Sequence, residues 1–170
     1  MNVLFLCTGN SARSILAEAI LNSLPQAKGR FHAFSAGSQP RSVVNPLALD
    51  VLREHKIASE GLRSKSWEEF ARPGAPTMDF VFTVCDQAAA ETCPVWPGHP
   101  TTAHWGIADP AAVSGTEKDR RRAFRDAFLA LRRRIELFVA LPLEKLSGYG
   151  LHEELATIGK HQTESGSPIS

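Results

Sequence analysis

Four short apolar runs along the chain have the length and composition of buried β-strands. They cover residues 2–6, 31–35, 79–84 and 102–105. Between and after these runs, apolar residues recur every three or four positions, as they do on one face of a helix. This spacing predicts helices at residues 12–24, 46–55 and 117–140, and a brief one at 66–71.

The alternation of strands with helices predicts an α/β fold. Asn45 followed by Pro46 is a typical helix beginning and supports the second helix. The last long helix has an apolar stripe that consists of Phe124, Phe128, Leu131, Ile135 and Phe138. The alternation of strands with helices favours a parallel sheet with right-handed crossovers. In parallel sheets of this kind, ligands bind at the carboxyl ends of the strands.

The chain length of 170 residues favours one domain with a well-developed core. After Leu141 and Pro142 the pattern changes, because residues 143–158 form a second amphipathic stretch. Serine, glycine and proline are frequent in residues 163–170, which predicts disorder. We therefore expect a domain over residues 1–141, followed by a helical extension and a disordered tail over residues 142–170.

The charge of the chain is almost balanced, with 19 lysines and arginines against 18 acidic residues. This balance favours neither nucleic acid nor a membrane as a partner. The arginine runs at 120–122 and 132–134 are expected mainly on the solvent side of the last long helix. Three cysteines without a signal peptide or a long apolar span favour a reducing cytoplasm. Cysteines in that compartment are more often catalytic or metal-binding than structural.

The segment that begins at Cys7 predicts an oxyanion site. Cys7 directly follows the first strand, and five residues separate it from Arg13. Backbone N–H groups of so short a loop can converge on a tetrahedral anion, and the arginine adds a planar pair of donors. The same positive environment favours the thiolate form of the cysteine. The predicted oxyanion-binding residues are Thr8, Gly9, Asn10, Ser11, Ala12, Arg13 and Ser14. The alternative is a buried cysteine at a strand end, followed by an ordinary capped helix.

Two further cysteines suggest redox chemistry. Cys85 ends the third predicted strand, so in a parallel sheet it reaches the same edge as Cys7. Cys93 follows after seven residues, and the intervening alanines 88–90 can form a helical turn. A stable helix would hold Cys85 and Cys93 too far apart for a disulfide, whereas an unwound segment would allow one.

Two alternatives remain for these cysteines. In the first, Cys85 is a small core residue and Cys93 is an incidental surface thiol. Otherwise both cysteines bind zinc together with His99 and His104, although the spacing of these four residues does not match common zinc sites. We expect no metal, and we expect the two histidines to lie in loops.

Asp109 is the candidate general acid. A bond to a tetrahedral oxyanion breaks more easily when the departing oxygen receives a proton. Asp109 lies in the loop after the fourth strand, and Pro110 restricts the backbone directly after it. An ordinary turn-forming Asp-Pro pair is the alternative.

These residues together resemble the low-molecular-weight protein tyrosine phosphatase superfamily, most closely its thioredoxin-coupled arsenate reductase branch. The resemblance covers about residues 2–138. The segments that carry it are 7–14, 35–37, 44–46, 84–85, 93–94, 104–106 and 109–111. It implies a three-layer fold in which helices flank a four-stranded parallel sheet, and it implies reduction of arsenate to arsenite without a bound cofactor.

The resemblance also implies a role for each site residue. Cys7 is the nucleophile, Arg13 and the loop amides bind the oxyanion, and Asp109 is the acid. Cys85 then attacks Cys7 as arsenite leaves, and Cys93 attacks Cys85. Thioredoxin reduces the resulting disulfide in that branch. Phosphate and sulfate are expected to compete with arsenate for the loop.

The chain departs from the family pattern at several positions. Phosphatases of the superfamily typically carry aromatic residues after the Asp-Pro pair, whereas Ala111, Ala112 and Val113 follow here. The reductases have six residues between the second and third cysteines, whereas this chain has seven, and they have a cysteine where this chain has Ala12.

Some members of the family bind potassium through an asparagine, a glutamate and an acidic residue. Asn10 and Glu18 match the first two, but Lys65 stands in the third place. A lysine cannot ligate a cation, so we expect Lys65 to supply the positive charge itself.

The sequence therefore favours a cytoplasmic arsenate reductase with thioredoxin as its reductant. A tyrosine phosphatase that uses Cys7, Arg13 and Asp109 is the nearest alternative. A reductase coupled to glutaredoxin or a low-molecular-weight thiol is a second alternative, and a binding module that senses arsenicals is a third.

Overall fold

The computed structural model describes residues 1–86, 88, 94 and 96–161. Four parallel strands form one sheet in the order β2-β1-β3-β4. The strands are β1 (Asn2–Leu6), β2 (His32–Ala36), β3 (Phe80–Thr83) and β4 (Thr101–His104). Each predicted boundary lies within one residue of the observed one. The α/β fold with a four-stranded parallel sheet is confirmed.

Among the described residues, four α-helices accompany the sheet: α1 (Arg13–Ser23), α2 (Pro46–Glu54), α3 (Glu117–Val139) and α4 (Gly148–Gly159). Short 3₁₀ helices cover Pro25–Ala27, Trp67–Phe70, Pro110–Ala112 and Leu143–Lys145. The side chain of Asn45 caps α2 by accepting from the N–H of Leu47, as its sequence predicts. The brief helix predicted at 66–71 is a 3₁₀ helix, and the stretch predicted at 143–158 divides into a 3₁₀ turn and α4.

The alternating residues of β1 supply two hydrophobic cores on opposite faces of the sheet. Val3 and Phe5 belong to the larger core, which includes residues from all four α-helices. Leu4 and Leu6 belong to the smaller core, together with Phe70. Both faces of the central strand are therefore covered, which explains its continuous apolar sequence.

The C-terminal helix packs against the edge of the sheet. Leu155 and Ile158 of α4 are buried in the larger core. The indole N–H of Trp105, which follows β4, donates to the carbonyl of Leu155 at 3.0 Å. The division between residues 141 and 142 remains a prediction, but the structure shows that α4 shares the core of the preceding residues. The tail predicted at 163–170 lies outside the described residues.

The arginine runs are solvent-facing with one exception. Arg120, Arg122 and Arg133 are exposed, whereas Arg134 is buried. The expected exposure is wrong for Arg134 because its guanidinium finds backbone carbonyls inside the protein. In the part of the chain that the structure describes, no helix is long and apolar enough to cross a membrane.

Candidate active site

Cys7 lies at the carboxyl end of β1, in the loop that leads to α1. Its side chain is only 4% exposed. The loop bends through Asn10, which has a left-handed φ of 43°. Gly37, directly after β2, passes so close that a Cβ atom there would lie 2.5 Å from the carbonyl oxygen of Thr8. The glycine therefore allows the chain after β2 to pack directly against the loop that follows Cys7.

The beginning of α1 is available to an anion. The helix begins at Arg13, and Ala12 at the N-cap position has no polar side chain to accept from the first-turn N–H groups. The first turn also contains no acidic residue. Because a helix N-terminus carries partial positive charge and unpaired N–H donors, this arrangement favours an oxyanion at the predicted position.

A network of hydrogen bonds reaches the sulfur of Cys7. The amide of Asn10 donates to the hydroxyl oxygens of Ser14, at 2.8 Å, and Ser35, at 3.0 Å. Ser14 Oγ lies 3.0 Å from Cys7 Sγ. Ser14 accepts from Asn10 and still has its own hydrogen, which it can donate to the sulfur when Cys7 acts as a thiolate nucleophile.

We expect Ser14→Ala to slow alkylation of Cys7 by iodoacetamide at neutral pH by about tenfold or more. The reason is that a hydrogen bond to a charged group contributes about 1.5–3 kcal/mol. Ser23→Ala is the control, because Ser23 lies on the same helix and its hydroxyl donates to the carbonyl of Ile20. An unchanged Cys7 alkylation rate in Ser14→Ala would contradict the proposed donor role.

Asp109, the candidate general acid, lies beside Arg13. Arg13 Nη2 is 3.7 Å from the carboxylate of Asp109, and Nη1 donates to the carbonyl of Ile107 at 2.9 Å. Asp109 also caps the following 3₁₀ turn by accepting from the N–H of Ala111. The loop after β4 therefore orients the arginine and brings a carboxyl group to the same edge of the sheet as Cys7.

Cys85 lies against the oxyanion loop. Its sulfur accepts from the N–H of Thr8, the residue after Cys7, at 3.4 Å, and from the N–H of Ala88 at 3.4 Å. The side chain is buried, and no disulfide joins Cys85 to Cys7. Two of the three predicted redox cysteines thus lie at one site. Cys93 lies outside the described residues.

The zinc alternative receives no support from the described residues. Within residues 1–86, 88, 94 and 96–161, no three histidine, cysteine or acidic side chains form a possible metal site. His104 ends β4 instead of lying in a loop, and its ring nitrogens bond the hydroxyl of Thr83 and the carboxylate of Asp86, each at 2.7 Å. His99 lies in a loop with a left-handed φ of 51°.

Comparison with known families agrees with this site. A family model described as low molecular weight phosphotyrosine protein phosphatase matches residues 2–147. The chain belongs to this family. A curated arsenate reductase from Oceanobacillus iheyensis is 32% identical over 136 residues, which cover 80% of this chain and 93% of that protein.

Solved structures of the family include both phosphatases and reductases. A low molecular weight protein tyrosine phosphatase from T. tengcongensis has a TM-score of 0.66 and 26% identity, over 86% of this chain and 99% of that one. An arsenate reductase in its phosphate-binding state has a TM-score of 0.63 and 26% identity, over 82% and 96% of the two chains.

Lys65 occupies a position near Asn10 and Glu18 in this family member. Its ammonium is 3.6 Å from the carboxylate of Glu18 and 3.4 Å from Ser35 Oγ, and its backbone N–H donates to Asn10 Oδ1 at 2.8 Å. Burial lowers the pKa of Lys65, and the attraction of Glu18 opposes this shift. The sequence analysis gave no role to Ser35, which joins Glu18 to Asn10. Its signals are its place at the end of the second predicted strand and in segment 35–37, which carries the family resemblance.

We expect the activity to be the same in potassium and sodium at fixed ionic strength, because Lys65 provides the positive charge beside Glu18. We also expect Lys65→Ala to lower the free energy of unfolding in urea by about 3 kcal/mol, since it leaves the Glu18 carboxylate, which is only 13% exposed, without its charged partner. Lys118→Ala, at an exposed position on α3, is the control. A several-fold rise in wild-type activity on adding potassium would contradict the first expectation.

Proposed function

We propose that this protein reduces arsenate to arsenite through Cys7, Cys85 and Cys93, with thioredoxin as the reductant. The observation that carries the proposal is the position of Cys85, whose sulfur accepts from the N–H of Thr8 beside the nucleophile. A phosphatase needs no second thiol at this position. The 32% identity to a curated arsenate reductase, over most of both chains, supports the same reaction.

The reaction begins when the Cys7 thiolate attacks arsenic. A water molecule leaves after Asp109 protonates the departing oxygen, and a sulfur–arsenic(V) adduct remains on Cys7. Arg13 and the loop amides stabilise the negative charge of the oxyanion during this step. The chemistry up to this point is the same as that of phosphoryl transfer.

The second step transfers two electrons. The Cys85 thiolate attacks the sulfur of Cys7, and the electron pair of the sulfur–arsenic bond moves to arsenic. Arsenic(V) becomes arsenic(III) and leaves as arsenite, while Cys7 and Cys85 form a disulfide. Cys93 then attacks Cys85, which releases the Cys7 thiolate and leaves a disulfide between Cys85 and Cys93. Thioredoxin reduces this disulfide by donating two electrons, so that its own two thiols become a disulfide.

A phosphatase that uses Cys7, Arg13 and Asp109 is the second candidate. The observation in its favour is that these three residues and the available helix N-terminus suit a phosphate ester as well as arsenate. Three small or aliphatic residues, Ala111, Ala112 and Val113, directly follow Asp109 and Pro110. These three positions therefore provide no aromatic side chain to hold a phosphotyrosine ring.

The test compares three activities of the purified protein under the same conditions. Arsenate-dependent oxidation of NADPH is measured with thioredoxin and its reductase, and separately with glutathione, glutaredoxin and glutathione reductase. Hydrolysis of an aryl phosphate is measured in parallel. We expect turnover of arsenate with thioredoxin, and competitive inhibition by phosphate, which thiols do not reduce. Turnover only with glutaredoxin would overturn the proposed reductant, and aryl phosphate hydrolysis without arsenate turnover would overturn the proposed reaction.

A further inference from the structure

Arg134 of α3 places its charged group inside the protein, where it is only 5% exposed. Its Nη1 donates to the carbonyls of Trp105, at 2.7 Å, and Gly106, at 3.2 Å. Nε and Nη2 donate to the carbonyl of His161 at 3.4 and 3.3 Å. Among the described residues, no carboxylate forms an ion pair with this guanidinium. Its charge is therefore balanced by backbone carbonyl dipoles.

Two of the carbonyls that Arg134 binds, those of Trp105 and Gly106, belong to the segment that leads from β4 to Asp109. Ile107 comes next in this segment, and its carbonyl accepts from Nη1 of Arg13 at 2.9 Å. Asp109, two residues later, is 3.7 Å from Nη2 of the same arginine. One short stretch of backbone thus joins the buried Arg134 to the arginine of the oxyanion site.

The helix α4 contacts the same stretch. The carbonyl of Leu155 accepts from the indole N–H of Trp105 at 3.0 Å. Gly159 lies so close that a Cβ atom there would be 2.6 Å from the carbonyl oxygen of His104 and 2.8 Å from Trp105 Cδ1. The whole of α4, and His161 after it, lie beyond the residues that the family model matches.

We propose that Arg134 and α4 are positioning elements for Arg13, which they act on through the backbone of Trp105, Gly106 and Ile107. The inference rests on Arg13 as an oxyanion-binding residue and does not depend on the thiol relay. Without Arg134, the carbonyls of Trp105 and Gly106 lose its Nη1 donor, and this side of the segment is held less tightly. The N–H groups of Trp105 and Ile107 still donate to the carbonyls of Thr83 and Val84, so we expect a small shift. A guanidinium that binds an anion with two donors depends on its orientation, so a small shift at Ile107 weakens oxyanion binding.

The first test compares Arg134→Met with Arg133→Met, which removes the exposed neighbour on the same helix. The measurement is the rate at which iodoacetamide alkylates Cys7, followed by peptide mass spectrometry over a range of phosphate concentrations. We expect the phosphate concentration that halves this rate to rise about tenfold in Arg134→Met and less than twofold in Arg133→Met. The rate without phosphate should stay within about threefold of wild type, because the loop and Ser14 are unchanged.

Arg134→Lys is the conservative variant. A lysine keeps the charge and can donate to the carbonyl of Trp105, but it lacks the planar set of donors that reaches both loop carbonyls and His161. We expect partial rescue, with a phosphate concentration for half-protection between those of wild type and Arg134→Met.

The second test uses two glycines of α4. Gly159→Ala and Gly150→Ala add the same methyl group to one helix, but a Cβ atom at Gly150 meets nothing within 4 Å. Only Gly159→Ala forces α4 away from Trp105, so we expect it to weaken phosphate protection of Cys7 about as much as Arg134→Met does. In Gly150→Ala, the phosphate concentration that halves the alkylation rate of Cys7 should equal that of the wild type.

Equal phosphate protection in Arg134→Met and Arg133→Met would overturn the inference. If Arg134→Met does not fold, the glycine pair decides by the same criterion, and equal protection in Gly159→Ala and Gly150→Ala would overturn it. Phosphate protection requires no arsenate reduction. A protein that shows the expected differences but no arsenate turnover would therefore support this inference while contradicting the proposed function.

Discussion

Cys7→Ser is expected to abolish both arsenate turnover and any aryl phosphate hydrolysis, with a loss of at least about a thousandfold in each. A serine hydroxyl is not ionised at neutral pH, and it cannot form the disulfide with Cys85 that accompanies the reduction of arsenic. Ser14 Oγ lies 3.0 Å from the sulfur and can donate to a thiolate, and such a hydrogen bond is stronger than one to a neutral hydroxyl.

The Cys7→Ser variant should still bind oxyanions, because the loop amides and Arg13 remain. Phosphate should therefore raise its melting temperature about as much as it raises that of the wild type. Residual arsenate turnover above one hundredth of the wild-type rate would mean that another residue acts as the nucleophile. A normal phosphate-dependent stabilisation would show that lost activity is not caused by a damaged loop.

Cys85→Ser is expected to separate the two chemistries of the site. Arsenate turnover should fall at least about a hundredfold, because no thiol remains beside Thr8 to attack Cys7 as arsenite leaves. Any hydrolysis of an aryl phosphate should stay within about threefold of wild type, since that reaction uses Cys7, Arg13 and Asp109. Steady-state rates for both substrates, measured on one preparation, check this expectation.

A serine at position 85 retains an oxygen that can accept from the N–H groups of Thr8 and Ala88, so the local structure should persist. Equal losses of both activities would show that Cys85 has a structural role. Cys93→Ser provides a further comparison, because the proposed relay would then stop at a disulfide between Cys7 and Cys85. Full thioredoxin-dependent turnover in Cys93→Ser would remove Cys93 from the relay.

Local patterns were sufficient to predict the strands and the placement of three site residues. Cys7 and Cys85 each follow a strand, and Asp109 follows the fourth, so a parallel sheet brings all three to one edge. This reasoning needs only strand positions and chain direction. It is consistent with the structure, in which Asp109 lies beside Arg13 and Cys85 lies beside Thr8.

Contacts between distant segments could not be predicted in the same way. An arginine in a run of three normally lies in solvent, and only the tertiary structure reveals that Arg134 reaches carbonyls 28 and 29 positions away. The amphipathic pattern of α4 predicts a buried face but not the surface that it covers. Ser35 gave a weak signal for a similar reason, since its partners Glu18 and Asn10 lie on other elements.

The central claim is that arsenate receives two electrons through Cys7, and that Cys85 and Cys93 supply them by becoming a disulfide. The most direct measurement mixes fully reduced protein with one equivalent of arsenate, quenches with an alkylating reagent and maps disulfides by peptide mass spectrometry. The account predicts a disulfide between Cys85 and Cys93, with Cys7 recovered as an alkylated thiol. Three free thiols after this treatment, in a protein that hydrolyses an aryl phosphate, would contradict it and identify the protein as a phosphatase.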